Sequence, residues 1–491
     1  MTRFSRLTVL AVGASFIVAS PISAQLLGGS SGGLVGGLVG GVNRSVGGTV
    51  GGVTSGGTDR TSGGLSGLQN SLGRLGNTTS NLLGGPGGAL GAVPGALSGI
   101  AGRGSPMGGF VPTSLSQLAV PPEVSSAPPQ AIADYRLARL NALVQANRST
   151  LDLDPLGQPV RRYELISTNP DPVSLGLASR AGFQIIGDAT ERELGIRLVT
   201  LAIPRKMNVR QALKAVRKAA PALQVDFNHL YEPSGGALIA VAGARLAASP
   251  VTRGGMRIAM IDGGIAAHPS FARARIEQQG FAGDPQPTGH GTAIGSLLVG
   301  EQGPFRGALR GAQLFVGDVY GGNPAAGSVT SIVKALSWAA SKRPSVVNIS
   351  LVGPDNPALA RAVAALRARG IQVVAAVGND GPAAPAQYPA SYPGVVAVTA
   401  VDAQGRSLPE AGRAAHLDFA APGADMIAAF PGQGYATVRG TSFAAPLAAS
   451  RLALAGSYQQ LTLEARPGKG KVGRGIVCGD CRVDPKLVSR K

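Results

Sequence analysis

Apolar residues first recur at helical spacing near Ile132, and Tyr135, Leu137, Leu140 and Leu143–Val144 carry that period to about Asn147. Strand-like and helix-like runs then alternate. Arg161 to Ser167 reads as a strand and Pro172 to Ala181 as a helix. Phe183 to Ile186 and Ile196 to Ile203 read as strands, Asn208 to Ala219 as a helix, and Leu223 to Phe227 as a closing strand. The order β-α-β-β-α-β predicts a small α+β module of the split βαβ type. Such a module carries no activity by default.

A second alternating region opens with Met256 to Asp262, an apolar strand that ends in a carboxylate and two glycines. Gln313 to Val319, Ser345 to Leu351, Ile371 to Val377 and Val395 to Val401 continue as buried-type strands. Ser328 to Ala340, Pro357 to Arg369 and Ser442 to about Ala455 read as helices. Strands that are apolar throughout need cover on both faces. The predicted class is therefore α/β, a mostly parallel sheet flanked by helices. Chemistry in such sheets gathers beyond the carboxyl ends of the strands, where Asp262, Ser350 and Asn379 are expected.

Composition adds the flanks. Glycine numbers 73 among 491 residues, concentrated from Gln25 to about Gly109 in Gly-Gly-Leu/Val units. Glycine at that density has much backbone entropy to lose and few side chains to bury, so a linker is expected; its regular Leu and Val leave a surface-associating role open. Val111 to Ala131 is Pro-rich and continues it. Met1 to Ala24 reads as a signal peptide, with Arg3 and Arg6 before an apolar core and Ile22-Ser23-Ala24 as the cleavage site. The mature chain is expected to be exported: periplasmic, cell-surface or secreted.

The 45 basic and 26 acidic residues give a formal charge of +19, which implies attraction to anionic surfaces. Nucleic acid is not an expected partner, because no dense Lys/Arg run carries interleaved aromatics. Cys478 and Cys481 stand as C-G-D-C. In an exported chain a local disulfide is the favoured use; a metal site would need further Cys or His nearby, and a redox pair would need to open a helix. No metal or cofactor is expected.

The chemistry centres on Gly440-Thr441-Ser442-Phe443-Ala444-Ala445-Pro446. Gly440 permits a sharp turn, Thr441 is a candidate cap, and Ser442 would sit at a helix N-terminus with its N–H free for an anion. A nucleophilic serine needs a base. Of four histidines, His290 stands between Gly289 and Gly291, which leave its ring uncovered and let another backbone come close. His268, before Pro269, and His416, in an expected strand, are assigned structural roles. Asp262, His290 and Ser442 then follow the chain order Asp…His…Ser.

In these blocks the chain resembles the subtilisin-like serine peptidases. Ile261-Asp262-Gly263-Gly264-Ile265 with His268-Pro269 is similar to their Asp block, Gly289-His290-Gly291-Thr292 to their His block, and the Ser442 stretch to their Ser block. Val374 to Gly381 is similar to their oxyanion-hole segment, with Asn379 as donor. Asn348-Ile349-Ser350-Leu351 is similar to the strand that pairs with substrate. The resemblance covers about Met256 to Ala455.

It implies a serine endopeptidase acting on proteins or peptides through an acyl-enzyme, with Ser442 as nucleophile, His290 as base and Asp262 as its orienting carboxylate. Ser350, Leu351, Val352 and Gly353 would bind substrate through main-chain hydrogen bonds, which implies broad specificity. It also implies that the small module is a ferredoxin-like prodomain whose tail, with His229, inhibits the enzyme from within the cleft. Two departures stand out. Gly263 replaces the usual Thr or Ser, removing a hydroxyl that would support Asp262, and Val352 replaces a Gly, narrowing the cleft. The first raises the alternative of an impaired relative that holds peptides or envelope proteins without cutting them. The implied plan is a signal peptide (1–24), Gly/Pro-rich segment (25–130), helix and linker (131–157), prodomain-like module (158–232), linker (233–254), peptidase domain (255–458) and basic tail with CxxC (459–491).

Overall fold

A computed structural model of the chain describes residues 122–234, 239–241, 255–432 and 434–487. The signal-peptide and Gly-rich readings lie outside the described residues. After a single helical turn, α1 (Pro122–Ser125), the helix α2 spans Pro129–Ala146 and starts three residues before its apolar period, with Pro129 supplying a preset first turn. The module follows as β1 (Leu151–Leu153), β2 (Pro159–Thr168), α3 (Pro172–Arg180), β3 (Gln184–Glu191), β4 (Ile196–Ala202), α4 (Val209–Ala219) and β5 (Val225–His229). Its helices begin where side chains can receive their free N–H groups. Asp171 accepts from Ser174 N at 2.8 Å, and Asn208 and Gln211 form a reciprocal capping box. The sheet is antiparallel, with β2 between β4 and β5 and β3 outside β4. That is the split βαβ arrangement expected, plus β1, whose three residues are too few to display a period.

Next come β6 (Glu232–Pro233), β7 (Ile239–Val241), β8 (Arg257–Asp262), β9 (Arg275–Gly280), α5 (Gly289–Val299) and a small hairpin of β10 (Glu301–Gln302) and β11 (Phe305–Arg306). The chain continues through β12 (Gln313–Asp318), α6 (Val329–Ser341), β13 (Val346–Ile349), β14 (Leu351–Val352), α7 (Pro357–Ala368), β15 (Gln372–Ala376) and β16 (Val396–Val401). It closes with β17 (Phe419–Pro422), β18 (Met426–Phe430), β19 (Gly434–Val438), α8 (Thr441–Ala455) and α9 (Tyr458–Glu464). Seven strands form a parallel sheet in the order β17-β16-β15-β13-β8-β12-β9. Alternate residues of each strand go to opposite faces. Ala259 and Ile261 join α6 and α7, whereas Ile258 and Met260 join α5 and α8. This two-sided burial is why the strands read as unbroken apolar runs.

His416 is not in a strand. It lies in a bend before β17, because pairing with β16 starts only at Phe419; its Nε2 is 2.8 Å from the Val395 carbonyl oxygen. The segment expected to be a plain linker holds β7, which pairs with β19. Beyond α9, Val477 N donates to Ala420 O at 2.8 Å, so this stretch packs on β17, and Cys478 and Cys481 are joined as a disulfide.

A polar chain ties module to sheet. Asn356, the cap of α7, donates from Nδ2 to His229 Nδ1 and to Phe227 O, both at 3.0 Å, and His229 Nε2 lies 3.2 Å from Asp154 Oδ2. Burial pushes the Asp154 carboxyl up. Its hydrogen bonds from His229 and from the N–H groups of Gln158 and Leu156 outweigh this and hold it below the ordinary range. A depressed native pKa stabilises the fold above the unfolded value, and that contribution is lost as pH falls through the native one. The melting temperature should therefore drop more steeply below about pH 4 in the wild-type chain than in Asp154→Asn; equal slopes would remove Asp154 from the acid response.

Candidate active site

Asp262 ends the interior strand β8 and is wholly buried. Its Oδ1 accepts from Gly263 N at 2.7 Å and lies 2.9 Å from His290 Nδ1. His290 is in the first turn of α5, whose cap Thr288 accepts from Gly291 N at 2.9 Å. Gly291 has to be glycine. An added Cβ would come within 2.3 Å of the Gly263 carbonyl oxygen, so only a bare backbone lets the helix start rest on the end of β8. The second ring nitrogen, Nε2, is buried and has no hydrogen-bond partner among the described residues; Asp262 Oδ2 is in the same condition. At Gly263 a Cβ would lie 2.5 Å from Thr288 Oγ1, so the cap of α5 occupies the space the missing hydroxyl would need.

Ser442 enters on α8, which packs beside α5 on the same face of the sheet. Gly440 adopts φ 136°, a conformation that favours glycine. Thr441 does not cap the helix: no side-chain cap bond is made at Gly440. Its hydroxyl bridges instead to Gly378 N and O, both at 3.1 Å. Thr441 N donates to Asn379 Oδ1 at 2.9 Å, which turns the Asn379 Nδ2 group outward. Pro446 has no N–H for the Ser442 carbonyl four residues earlier. Ser350 Oγ donates to that carbonyl at 2.9 Å, and Asn348 Nδ2 donates to Ser350 Oγ at 3.0 Å.

The site holds a piece of the chain itself. Ser234 O accepts from Ser442 N at 3.3 Å and from Asn379 Nδ2. Ser234 N donates to Ser350 O at 3.0 Å, and Ser442 Oγ lies 2.8 Å from Ser234 Oγ. The two residues before it form β6, antiparallel to β14, with Pro233 opposite Leu351 and Glu232 opposite Val352. Tyr231, earlier still, is buried against Gly353, where a Cβ would meet its ring at 2.7 Å; its N–H donates to Gly327 O at 2.7 Å. Ser350 to Gly353 thus border this segment together. Val352 also reaches Gly378, where an added Cβ would be 3.4 Å away. His268 lies apart, bonded to Ser270 and Gly434 O, and His229 sits in the polar chain described above.

Sequence reasoning missed Ser234 and Asp318. Asp318 ends β12 beside Asp262 and accepts from the N–H groups of Gln286, Tyr320 and Gly321 at 2.8, 2.8 and 3.0 Å, fixing the turn that leads to Thr288. Burial raises its carboxyl above the ordinary range, against those hydrogen bonds. A signal existed: β12, like β8, is an apolar strand ending in Asp. Ser234 had none, since only its place in the fold distinguishes it.

A helix-flanked parallel sheet that collects a carboxylate, an imidazole and a helix-start serine at one end is the framework of a serine peptidase. Residues 253–466 match the subtilase family, Peptidase_S8. Over 210 residues the chain is 35% identical to Subtilisin Savinase of Lederbergia lenta, a match spanning 42% of this chain and 77% of that protein. It is equally 35% identical to an alkaline protease of Alkalihalobacillus alcalophilus, of which it spans 54%. Among solved structures, fervidolysin from Fervidobacterium pennivorans, a keratinolytic enzyme related to subtilisin, shares the fold with a TM-score of 0.55 and 18% identity, over 67% of this chain and 62% of that one. The chain belongs to the subtilase family and is a serine endopeptidase.

Gly263→Ser should not restore a missing hydroxyl. Its Cβ would force Thr288 aside, loosening the α5 cap and His290, at a cost of about 1–3 kcal/mol; a lowered melting temperature together with lost activity is the expected result, and a gain in either would contradict it.

Proposed function

We propose that Ser442, His290 and Asp262 act as nucleophile, base and orienting carboxylate of an exported subtilisin-like endopeptidase, with residues 158–232 as its prodomain. The observation that carries this is the Ser234 carbonyl, received by the Ser442 N–H and the Asn379 amide while its strand lies on Leu351–Val352. Two donors on one carbonyl oxygen are what a tetrahedral oxyanion requires. Ser442 Oγ bonds to the carbonyl carbon, and His290 Nε2 takes its proton and delivers it to the leaving amine as the C–N bond breaks. Water then hydrolyses the acyl-enzyme by the reverse use of the same base. Asp262 steadies the charged imidazole through Nδ1.

The first bond cut is that between Ser234 and Gly235. The tail then remains in the cleft as a product, held by main-chain hydrogen bonds. Because the pairing with β14 is also through the main chain, protein substrates of many sequences fit the same edge. Export is supported by the leader-like Met1 to Ala24, and no helix among the described residues is long and apolar enough to cross a membrane.

Wild-type chain should yield a fragment beginning at Gly235, and Ser442→Ala should remain uncut and unlabelled by a fluorophosphonate. Labelling of the Ser442→Ala chain would sink the assignment. Asn379→Ala should keep the label but lose turnover by about 10²–10³, a magnitude known from subtilisin itself; unchanged turnover would mean that the oxyanion is held elsewhere.

A further inference from the structure

Helix α2 precedes the proposed prodomain, and nothing in the catalytic scheme uses it. Arg136 and Arg139 are three residues apart and so share one helix face; both are buried, with 3% and 2% exposure. They converge on two carboxylates from distant parts of the chain. Arg139 Nη2 donates to Glu232 Oε2 at 2.8 Å and reaches Asp380 Oδ1 at 3.4 Å. Arg136 Nε lies 2.8 Å from Asp380 Oδ2 and 3.9 Å from Glu232 Oε1, close ion pairs without hydrogen-bond alignment. Its Nη2 donates to Gln158 Oε1 at 2.8 Å, which fixes the side chain.

The placement of the two carboxylates matters. Glu232 belongs to the strand in the cleft, and Asp380 follows Asn379. Ile132, one turn before Arg136, faces Gly381, where an added Cβ would be 3.2 Å from the Ile132 side chain. Helix α2 therefore rests on the oxyanion segment and on the tail at once. Among the described residues, Arg136 and Arg139 are the cations in ion-pair contact with Glu232 or Asp380. Without them, two carboxylates would share one buried site. Burial raises the Glu232 carboxyl, Arg139 and Arg136 draw it down, and Asp380 pushes it up. Removing one partner of a buried charge network is far more costly than never forming it.

We propose that α2 is the second half of the inhibitor: Arg136 and Arg139 supply the charge that lets the Glu232 tail lie against Asp380, and loss of the helix releases the tail. This rests on reading the tail as a product held in the cleft. Cutting after Ser234 then does not free the enzyme. Activation needs a second cut between α2 and β1, where Arg148, Ser149 and Thr150 are exposed.

The test compares fluorophosphonate labelling of Ser442 in three preparations, each expressed as the full chain: wild type, Arg136→Gln/Arg139→Gln, and wild type carrying a specific protease site at residues 148–150, then cut and stripped of the helix. Wild type should label slowly. The double variant and the cut chain should label about 10²–10³-fold faster, the loss expected when a buried ion network loses its cations. Adding Glu232→Gln to the double variant should slow labelling again, which a merely structural role for the arginines would not produce. Wild-type labelling rates in the double variant, or latency in the cut and stripped chain, would overturn the proposal; if the double variant does not fold, the cut chain decides. Full-rate labelling of the wild type would instead overturn the tail-in-cleft reading itself.

Discussion

A carboxylate with no exposure to solvent, at the end of an interior strand of a parallel sheet, is the constraint the other parts of the site answer to. Asp262 can be buried there only if its charge finds donors, and both of those among the described residues meet Oδ1. It takes one from the next residue of its own chain and one from His290. The second demands that α5 begin almost in contact with β8. That contact explains why Gly263 and Gly291 lack side chains, why Thr288 caps where it does, and why Asp318 gathers three N–H groups to hold the approaching turn. The imidazole that results has one nitrogen held and the other, Nε2, without a hydrogen-bond partner among the described residues.

The serine is positioned by a different device, on the neighbouring helix α8 of the same face. A helix that begins at Gly440 and carries a proline five residues after Thr441 leaves the Ser442 carbonyl without its helical donor, and Ser350 fills the gap. The same Ser350 offers its own carbonyl to Ser234. The residue that steadies the Ser442 backbone therefore also aligns the Ser234 strand, so the two cannot shift independently. Thr441 adds a corresponding tie to Gly378 and Asn379.

The cleft in this structure is filled by the chain's own strand, and the buried charges around it make chemical sense only together. Glu232 alone beside Asp380 would be repelled. Two guanidinium groups from a helix nearly a hundred residues earlier turn repulsion into attachment. Buried ion networks contribute little net stability compared with apolar packing, but they fail sharply when one member leaves. That property suits a contact meant to be undone.

Much of this was legible before any coordinates. The two-sided apolar strands, the split βαβ order and the blocks around Asp262, His290, Asn379 and Ser442 are local patterns, because a period, a turn glycine or a helix start depends on neighbours a few residues away. The parts that were not legible depend on residues far apart in the chain. Thr441 reads as a cap but bonds across to Gly378; His416 reads as strand but bends, because the partner strand starts later; Gly263 reads as a lost hydroxyl but faces Thr288. Ser234, Arg136 and Arg139 have nothing in their surroundings to mark them. Sequence alone determined the elements and the chemistry available to this chain, since those follow from backbone preference and side-chain type. Only the tertiary structure decided what occupies the cleft and which charges meet there, since burial and distance exist only after the chain has closed on itself.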